Sequence, residues 1–351
     1  MHLPRFPVCR AKETLQNSDF CVVDESLAGE NIAMKQAAFY LSTWLKKTRK
    51  RELLEQMVLT GELVALIAPY CLERKIGTPP FSLMIMLRVH FVQQWVTLSD
   101  TGMVEVFFDT PLYREFAQLK EFARLPNESS ILRIGKTSSP SHRLDKHKLA
   151  EKILAIVNEL LTQRRMLLKA GTAVDATLIP ASCLTKNKDR ARDPEMHSSK
   201  KGNQWYSGKK AYIGVDADSG LVHTMRGTSD HASDIAEGST FLLGQETVAF
   251  GNAGYRGIDK RCDANPGVTW HVAMRPGKRR ALSKKNEADA MIDQAERLKA
   301  GIRAKVEHPF RVLKRQIGFV KVLYRGLKKN TVRLFTLFEL SNLWMVPNTV
   351  A

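Results

Sequence analysis

Residues 210–227 read KAYIGVDADSGLVHTMRG, two apolar runs on either side of a short polar sequence that contains glycine. Runs of this length, rich in β-branched and aromatic residues and joined by a turn, predict a β-hairpin. Upstream, TAVDAT at 172–177 predicts a further strand, which carries an acidic residue near its end. Residues 247–250 and 268–274 predict two more strands downstream. The second half of the chain is therefore predicted to be organised around a β-sheet.

Helices are predicted between and after these strands. Ser233 or Asp234 can cap a helix that runs to about residue 243. Periodic apolar residues predict three later helices, at 287–300, 307–314 and 332–345. The predicted order is strand, hairpin, helix, strand, helix or loop, strand and helix. Strands that alternate with helices predict an α/β fold in which helices flank a mixed sheet.

The first half of the chain has a different pattern. Residues 1–33 show no clear period and are predicted to form a poorly ordered arm, with Met34 as an alternative start of translation. Apolar residues then recur at helical spacing and predict helices at about 51–72, 80–95, 99–108, 111–119 and 148–164. We therefore predict three regions: the arm at 1–33, an all-α N-terminal module at 34–165, and an α/β domain at 166–351.

The chain is strongly basic. It has 54 Lys and Arg residues against 36 Asp and Glu residues, which gives a formal net charge of +18. A field of this sign attracts polyanions, and nucleic acid is the commonest polyanion in a cell. The compact basic run from Lys46 to Arg51 is typical either of a solvated helix face or of a phosphate contact, and the sequence leaves both open.

Cysteine spacing and hydropathy bear on the compartment. The five cysteines are widely spaced and form no CxxC pair, so neither a zinc site nor a disulfide framework is indicated. No uninterrupted apolar run is long enough to cross a bilayer, and the N-terminus has no secretory signal. We therefore expect a cytoplasmic, nucleoid-associated protein with no membrane partner.

Two acidic residues are candidates for metal-dependent chemistry. Asp175 lies near the end of the first predicted strand, and Glu307 lies on a late helix between Arg303 and Lys314. Carboxylates suit hard divalent cations, and neighbouring cations can neutralise the charge of a phosphate. The bland alternatives are that Asp175 is a turn or cap residue and that Arg303 and Glu307 form a solvated salt bridge.

Several motifs resemble those of a known family. GTPP at 77–80 with MLR at 86–88, QQW at 93–95 and LSD at 98–100 resembles an N-terminal helical module. VDAT at 174–177 resembles a segment that bears a first catalytic Asp. KGNQWY at 201–206 leading into GVD at 214–216 is similar too, as is GNAGY at 251–255, where the family has GDAGY. Together with Arg303, Glu307, Arg311 and Lys314, these motifs resemble the Asp-Asp-Glu transposases of the insertion sequence 4 and insertion sequence 5 group, over about residues 34–346.

The resemblance implies a fold, a reaction and partners. It implies a ribonuclease H-like catalytic domain behind a helical DNA-binding module. It implies catalytic positions at Asp175, Asn252 and Glu307, with Asp175 and Glu307 as ligands of two Mg²⁺ or Mn²⁺ ions and with Arg303, Arg311 and Lys314 on DNA. Such enzymes cut double-stranded DNA at terminal inverted repeats and join the freed 3′ hydroxyl to target DNA, as homo-oligomers.

The chain departs from this pattern at two motif positions. Position 252 is Asn where the family has its second Asp, and position 300 is Ala where the family has Tyr. An amide brings no negative charge, so metal binding is expected to weaken and activity to fall by orders of magnitude. Asp216, Asp218 and Asp259 are nearby acids that are poor substitutes, and Asp216 is expected to shape the hairpin turn.

Three functional interpretations follow from the sequence. The first is an active transposase of a bacterial insertion sequence. The second is a catalytically disabled DNA-binding remnant, because Asn252 replaces the second acid. The third is a repair or RNA nuclease, which the N-terminal helical module disfavours. Trp205, Tyr206 and Tyr255 are aromatic residues for stacking on DNA ends or for the core, and we favour the core.

Overall fold

The computed structural model describes most of the chain, and the statements below concern those residues. They are 24–46, 61–70, 81–120, 124–135, 148–181, 193–201, 204–229, 233–262, 264–283 and 285–346. Residues 47–51 of the basic run and residues 136–147 lie outside the described ranges.

The N-terminal half is helical, as predicted. Its helices are α1 (Asp24–Leu45), α2 (Gly61–Ile67), α3 (Leu83–Val96), α4 (Asp100–Asp109), α5 (Pro111–Phe116), α6 (Glu128–Gly135) and α7 (Leu149–Gln163), with a 3₁₀ turn at Ala68–Tyr70. Serine caps set two of the starts, because Ile85 N–H donates to Ser82 Oγ and Gly102 N–H donates to Ser99 Oγ. Helix α1 begins at Asp24, so residues 24–33 are helical where the sequence indicated an irregular arm.

A mixed sheet forms the centre of the second half. Its strands are β1 (Gly171–Pro180), β2 (Ser198–Lys201), β3 (Gln204–Asp216), β4 (Val222–Ser229), β5 (Val248–Gly251) and β6 (Thr269–Val272). Strand β1 pairs antiparallel with β3 and parallel with β5, β3 pairs antiparallel with β4, and β5 pairs parallel with β6. The order β4-β3-β1-β5-β6 is that of a ribonuclease H-like sheet, which confirms the predicted fold class. The short strand β2, which pairs with the start of β3, was not predicted.

The two faces of the sheet bury different side chains. Ala173, Ile213 and Phe250 face the large core, whereas Val174 and Tyr212 face a small second cluster. This alternation follows from the period of two along a strand. Residues 171–175 are all buried because β1 has a strand on each side and a layer on each face.

Helices lie between and after the strands and pack on both faces of the sheet. A short helix, α8 (Asp234–Gly238), precedes β5; after β6 come α9 (Pro276–Arg280), α10 (Glu287–Ala304), α11 (Glu307–Arg311) and α12 (Leu327–Met345). Short 3₁₀ turns lie at Ser239–Phe241, Ala253–Tyr255 and Ile258–Lys260, and a π-helical turn lies at Val312–Gln316. The helix expected at 332–345 thus begins at Leu327. Its first N–H groups are satisfied by carboxylates of Asp193 and Glu195, which precede β2.

The N-terminal helices and the sheet share one hydrophobic core. Trp44 of α1, Trp95 of α3 and Trp344 of α12 pack together, with ring centroids 5.3–6.0 Å apart. Buried Arg333 of α12 donates to Thr97 Oγ1 at 3.1 Å, just after α3. The first and last parts of the chain are therefore packed against each other.

Helix α12 is also bonded to the sheet through one amide. Asn342 accepts from the N–H of Val222 at 2.8 Å and donates to the carbonyl of Val222 at 2.7 Å. It also donates to Asn158 of α7 at 3.2 Å. Buried backbone groups need such partners, so this amide fixes α12 and α7 relative to β4. No helix in the described ranges has the length and the apolar composition that crossing a membrane requires.

Lys209 of β3 is a fully buried lysine. Its ammonium donates to Thr331 Oγ1 at 3.0 Å and lies beside Gly227, where a Cβ would be 2.9 Å from Nζ. Burial lowers the pKa of Lys209 from 10.5 to about 7. Between those two values the unfolded chain binds the proton more tightly than the folded chain does, so the free energy of unfolding should rise as the pH rises.

We expect Lys209→Met to remove much of that pH dependence. The thioether fills the space of the lysine stem without a charge to desolvate. Between pH 7 and 10.5 the free energy of unfolding should rise in the variant by at least about 1 kcal/mol less than it rises in wild type. This minimum is below the free energy that corresponds to a shift of one pKa unit. Chemical denaturation across this range measures it. Lys152→Met, at an exposed position on α7, is the matched control and should keep the wild-type slope; equal slopes in all three proteins would contradict the prediction.

Candidate active site

Strand pairing places Asp175 beside Asn252. In the parallel β1–β5 ladder Val174 is opposite Gly251, and β5 ends there. The next residue of each chain segment therefore lies at the same edge, on the same face of the sheet. The Asn252 amide nitrogen donates to Asp175 Oδ1 at 2.8 Å. Two of the three catalytic positions expected from the sequence are thus in direct contact.

The orientation of the Asn252 amide is set by its second hydrogen bond. The N–H of Gly254 donates to Asn252 Oδ1 at 2.7 Å, so that Asn252 caps the 3₁₀ turn Ala253–Tyr255. A backbone N–H can only be accepted by the amide oxygen, so the NH₂ group has to face Asp175. Residue 252 therefore presents hydrogen atoms, not an oxygen ligand, to the carboxylate of Asp175.

Asp175 is buried, and its charge is affected by the other residues of the predicted site. Burial is the largest effect and raises the pKa of Asp175, which Glu307 raises further. The Ala176 N–H, the Arg303 guanidinium and the Asn252 amide lower the pKa of Asp175. Arg303 and Glu307 are thus close enough to act electrostatically on Asp175, so the structure brings these four residues into one region.

Glu307 begins α11, and a turn at residues 305–306 separates α11 from α10. Its side chain is exposed, whereas its neighbours Val306 and Phe310 are buried in the core. Within the described ranges no hydrogen bond holds the Glu307 carboxylate. The buried neighbours fix the backbone, and the carboxylate remains accessible.

The basic residues after Glu307 differ in their positions. Lys314 donates to Thr177 Oγ1 at 2.7 Å and to the carbonyl of Leu178 at 3.3 Å, so its ammonium lies on β1 beyond Asp175. Lys314 belongs to the π-helical turn, and such turns often occur at functional sites. Arg311 is exposed, and no contact in the described ranges brings it to Asp175.

The other acids named from the sequence lie elsewhere. Asp216 accepts from the backbone N–H and hydroxyl of Ser219, at 2.8 and 2.6 Å, and from Lys169 N–H at 3.0 Å. It shapes the hairpin turn, as predicted, and pairs with Thr172 rather than with Asp175. Asp218 and Asp259 are exposed on turns.

The sequence indicated Asp234 only as a possible helix cap, whereas the structure places its carboxylate near Gly254, the residue that donates to Asn252. One Asp234 oxygen accepts from Tyr212 OH at 2.7 Å and from Lys210 Nζ at 3.2 Å. A Cβ at Gly254 would lie 3.0 Å from the other oxygen and 2.8 Å from Asn252 Oδ1. Tyr255 is fully buried beside this group and belongs to the core, as favoured from the sequence. The side chains of Trp205 and Tyr206 lie outside the described set.

The site only partly fits a divalent cation. Asp175 and Glu307 provide the carboxylate oxygens that Mg²⁺ or Mn²⁺ prefers. The Asn252 NH₂ group donates to Asp175 and offers no oxygen ligand on that side of the carboxylate. Among the described residues no three His, Cys, Asp or Glu side chains are placed to hold one ion. Asp175 and Glu307 have the donor chemistry of cation ligands, and the NH₂ group that Asn252 turns to Asp175 does not.

Comparison with known proteins identifies the family. The Transposase DDE domain matches residues 167–343, which include Asp175, Asn252 and Glu307. The Transposase domain (DUF772) matches residues 39–136, in the helical half. A cryo-EM structure of the piggyBac transposase synaptic complex with hairpin DNA is 9% identical, with 84% of this chain and 74% of that chain covered and a TM-score of 0.44. Since the DDE domain alone spans half of the sequence, the chain belongs to the transposases of the DDE-domain family.

Proposed function

We propose that this transposase belongs to a bacterial insertion sequence and that this copy binds DNA but cuts it poorly. Its partners would be duplex DNA with terminal inverted repeats and a target duplex, bound by a homo-oligomer at the nucleoid. One observation carries the low activity: the Asn252 amide, held by Gly254, donates a hydrogen bond to Asp175. The amide offers hydrogen atoms to this carboxylate, where the Asp of the family pattern would offer an oxygen ligand for a cation.

Divalent ions are general cofactors of transposase DDE domains. In this chain Asp175 and Glu307 are the residues that would hold Mg²⁺ or Mn²⁺, and the resemblance implies two ions. When bound, such ions neutralise charge at a reacting phosphate and increase the acidity of water. With Asn252 in place of a carboxylate, the site has one negative charge fewer than the family pattern, which weakens its affinity for cations.

The basic residues of the site support duplex DNA as the substrate. Arg303 lies close enough to Asp175 to lower its pKa, and Lys314 is fixed on β1 by its bonds to Thr177 and Leu178. A phosphodiester at Asp175 would thus meet fixed positive charge, which stabilises a phosphoryl-transfer transition state without reorganisation. The second family match, in the helical half, favours transposition over general repair or RNA cleavage.

We expect Asn252→Asp to make the stability of the fold depend on divalent metal. Aspartate can still accept the Gly254 N–H, but its other oxygen would face Asp175 at hydrogen-bond distance, where two carboxylates repel. Without metal at neutral pH the variant should be less stable than wild type by about 1–3 kcal/mol. Added Mn²⁺ should raise its Tm and leave the wild-type Tm nearly unchanged.

The matched control for this experiment is Asn286→Asp. Asn286 caps α10 by accepting the Ala288 N–H at 3.1 Å, and the residue is exposed. Aspartate caps equally well there. A Mn²⁺ response in Asn286→Asp as large as in Asn252→Asp would contradict the assignment of residue 252.

We also expect Asn252→Asp to increase the rate of DNA strand cleavage. A duplex that carries the DNA flanking the coding sequence is incubated with Mg²⁺ or Mn²⁺ and with wild type or Asn252→Asp. The variant should cut at least about 100-fold faster, because a missing catalytic group typically lowers the rate by this much or more. Adding Glu307→Gln to the variant should abolish the gain. Equal cutting by wild type and Asn252→Asp would show that another group supplies the second acid.

A further inference from the structure

The densest run of positive charge after the sheet lies between β6 and α10. Six of the eleven residues from Arg275 to Lys285 are Arg or Lys, and none is acidic. We call residues 275–285 the basic segment. Such a density of one sign, without compensating acids, creates a local field that favours a polyanion.

The basic segment begins beside the active site. The N–H of Ala273 donates to the carbonyl of Gly251 at 2.9 Å, so the chain leaves β6 next to Asn252. Arg275 follows two residues later and is exposed. Because β1, β5 and β6 are parallel, their carboxyl ends share one edge of the sheet. The basic segment and the Asp175–Asn252 pair therefore lie at the same edge.

Helix α10 holds the basic segment at three points. Glu296 accepts the Met274 N–H at 2.8 Å, Asp293 accepts Arg279 Nε at 2.7 Å, and Asp289 accepts the Ser283 N–H at 2.9 Å. These acids are spaced by four and three residues, which places them on one face of the helix. The chain is thus fixed just before the basic segment, at Met274, and at two points within it, at Arg279 and Ser283.

Because of this anchoring, one basic residue is paired with an acid of α10, while its neighbours are exposed. Arg279 is the one that faces α10, where Asp293 neutralises it. Its neighbours Lys278 and Arg280 are exposed and form no ion pair with another residue in the described ranges. On a helix, consecutive residues do not face the same way, so the residues on either side of Arg279 point away from the direction that Arg279 takes. Lys278 and Arg280 therefore present positive charge to solvent from a rigid support.

The distance along α10 suits a duplex. From Asp293, α10 runs to Ala304, and a two-residue turn leads to Glu307. With the rise of a helix taken for all fourteen residues, this distance is roughly 20 Å. At about 3.4 Å for each base pair, this is the length of roughly six base pairs. A duplex with its reacting phosphate at Asp175 that runs along α10 would bring backbone phosphates to Lys278 and Arg280.

We propose that the basic segment binds the DNA duplex beside the reacting phosphate, with Lys278 and Arg280 on the phosphate backbone. This inference rests on the proposed function, since it takes duplex DNA as the substrate. It does not depend on cleavage, because the contacts are to the backbone and need neither a metal nor residue 252. Arg279 is a positioning residue that orients its two neighbours.

The test is DNA binding by the full-length protein. The probe is a fluorescein-labelled, random-sequence duplex of about 30 base pairs, which is longer than the roughly six base pairs estimated above. It is titrated with the protein at several salt concentrations from about 50 to 200 mM. Removing two phosphate contacts in Lys278→Gln/Arg280→Gln should make the negative slope of log affinity against log salt shallower by about 1.8. It should also weaken binding by at least tenfold at the lowest salt. Charge reversal in Lys278→Glu/Arg280→Glu should weaken it further, with the thermal transition unchanged in both variants.

The matched control removes two charges at the opposite edge of the sheet. Arg164 and Arg165 are exposed in the turn between α7 and the start of β1. Arg164→Gln/Arg165→Gln should keep the wild-type slope. A wild-type slope in Lys278→Gln/Arg280→Gln, or an equal loss in the control, would overturn the inference while leaving DNA binding intact. A wild-type protein that does not bind the duplex at all would overturn the proposed function and the inference together.

Discussion

Strand β1 is the element on which the site depends, because it is hydrogen-bonded on both sides. Its antiparallel pairing with β3 and parallel pairing with β5 fix the position of Asp175 in two directions. The parallel register then determines which residue of the next segment lies beside it. A shift of one residue would move Asn252 to the other face of the sheet. The contact between residues 175 and 252 is thus a consequence of backbone pairing, and the side chains only complete it.

The helices on one face of the sheet keep this register by filling one continuous core. The tryptophans of α1, α3 and α12 connect the two ends of the chain, and Asn342 bonds α12 to β4. The polypeptide that carries Glu307 passes between these layers, with Val306 and Phe310 buried. Phe310 contacts Phe338 of α12, with ring centroids 6.3 Å apart, so the position of the exposed Glu307 carboxylate depends on how α12 is packed.

The sequence predicted the elements with strong local periodicity and missed those that depend on distant partners. Strands β1, β3 and β4 and helix α7 were predicted because alternation or helical spacing is visible within each segment. Strand β2 was missed because its polar sequence SSKK forms a strand only by pairing with β3. The early start of α12 depends on Asp193 and Glu195, more than a hundred residues upstream, which no local pattern indicates.

The same distinction applies to the site. Asp175, Asn252 and Glu307 were recognised from motifs, whereas the direction of the Asn252 amide required the position of Gly254 N–H. The sequence indicated Asp234 only as a possible helix cap, because Tyr212 and Lys210 approach it only in the folded chain.

The hydrogen bond by which Asn252 caps its turn has a consequence for how mutations at codon 252 affect the protein. Since asparagine and aspartate both accept the Gly254 N–H, the turn that carries residue 252 tolerates either side chain. Their codons differ only in the first base. Under the proposed function, a gene in this state would encode a folded protein that binds the ends of the element and competes with intact relatives, and a single base substitution would restore the acid at position 252 without a change of the turn.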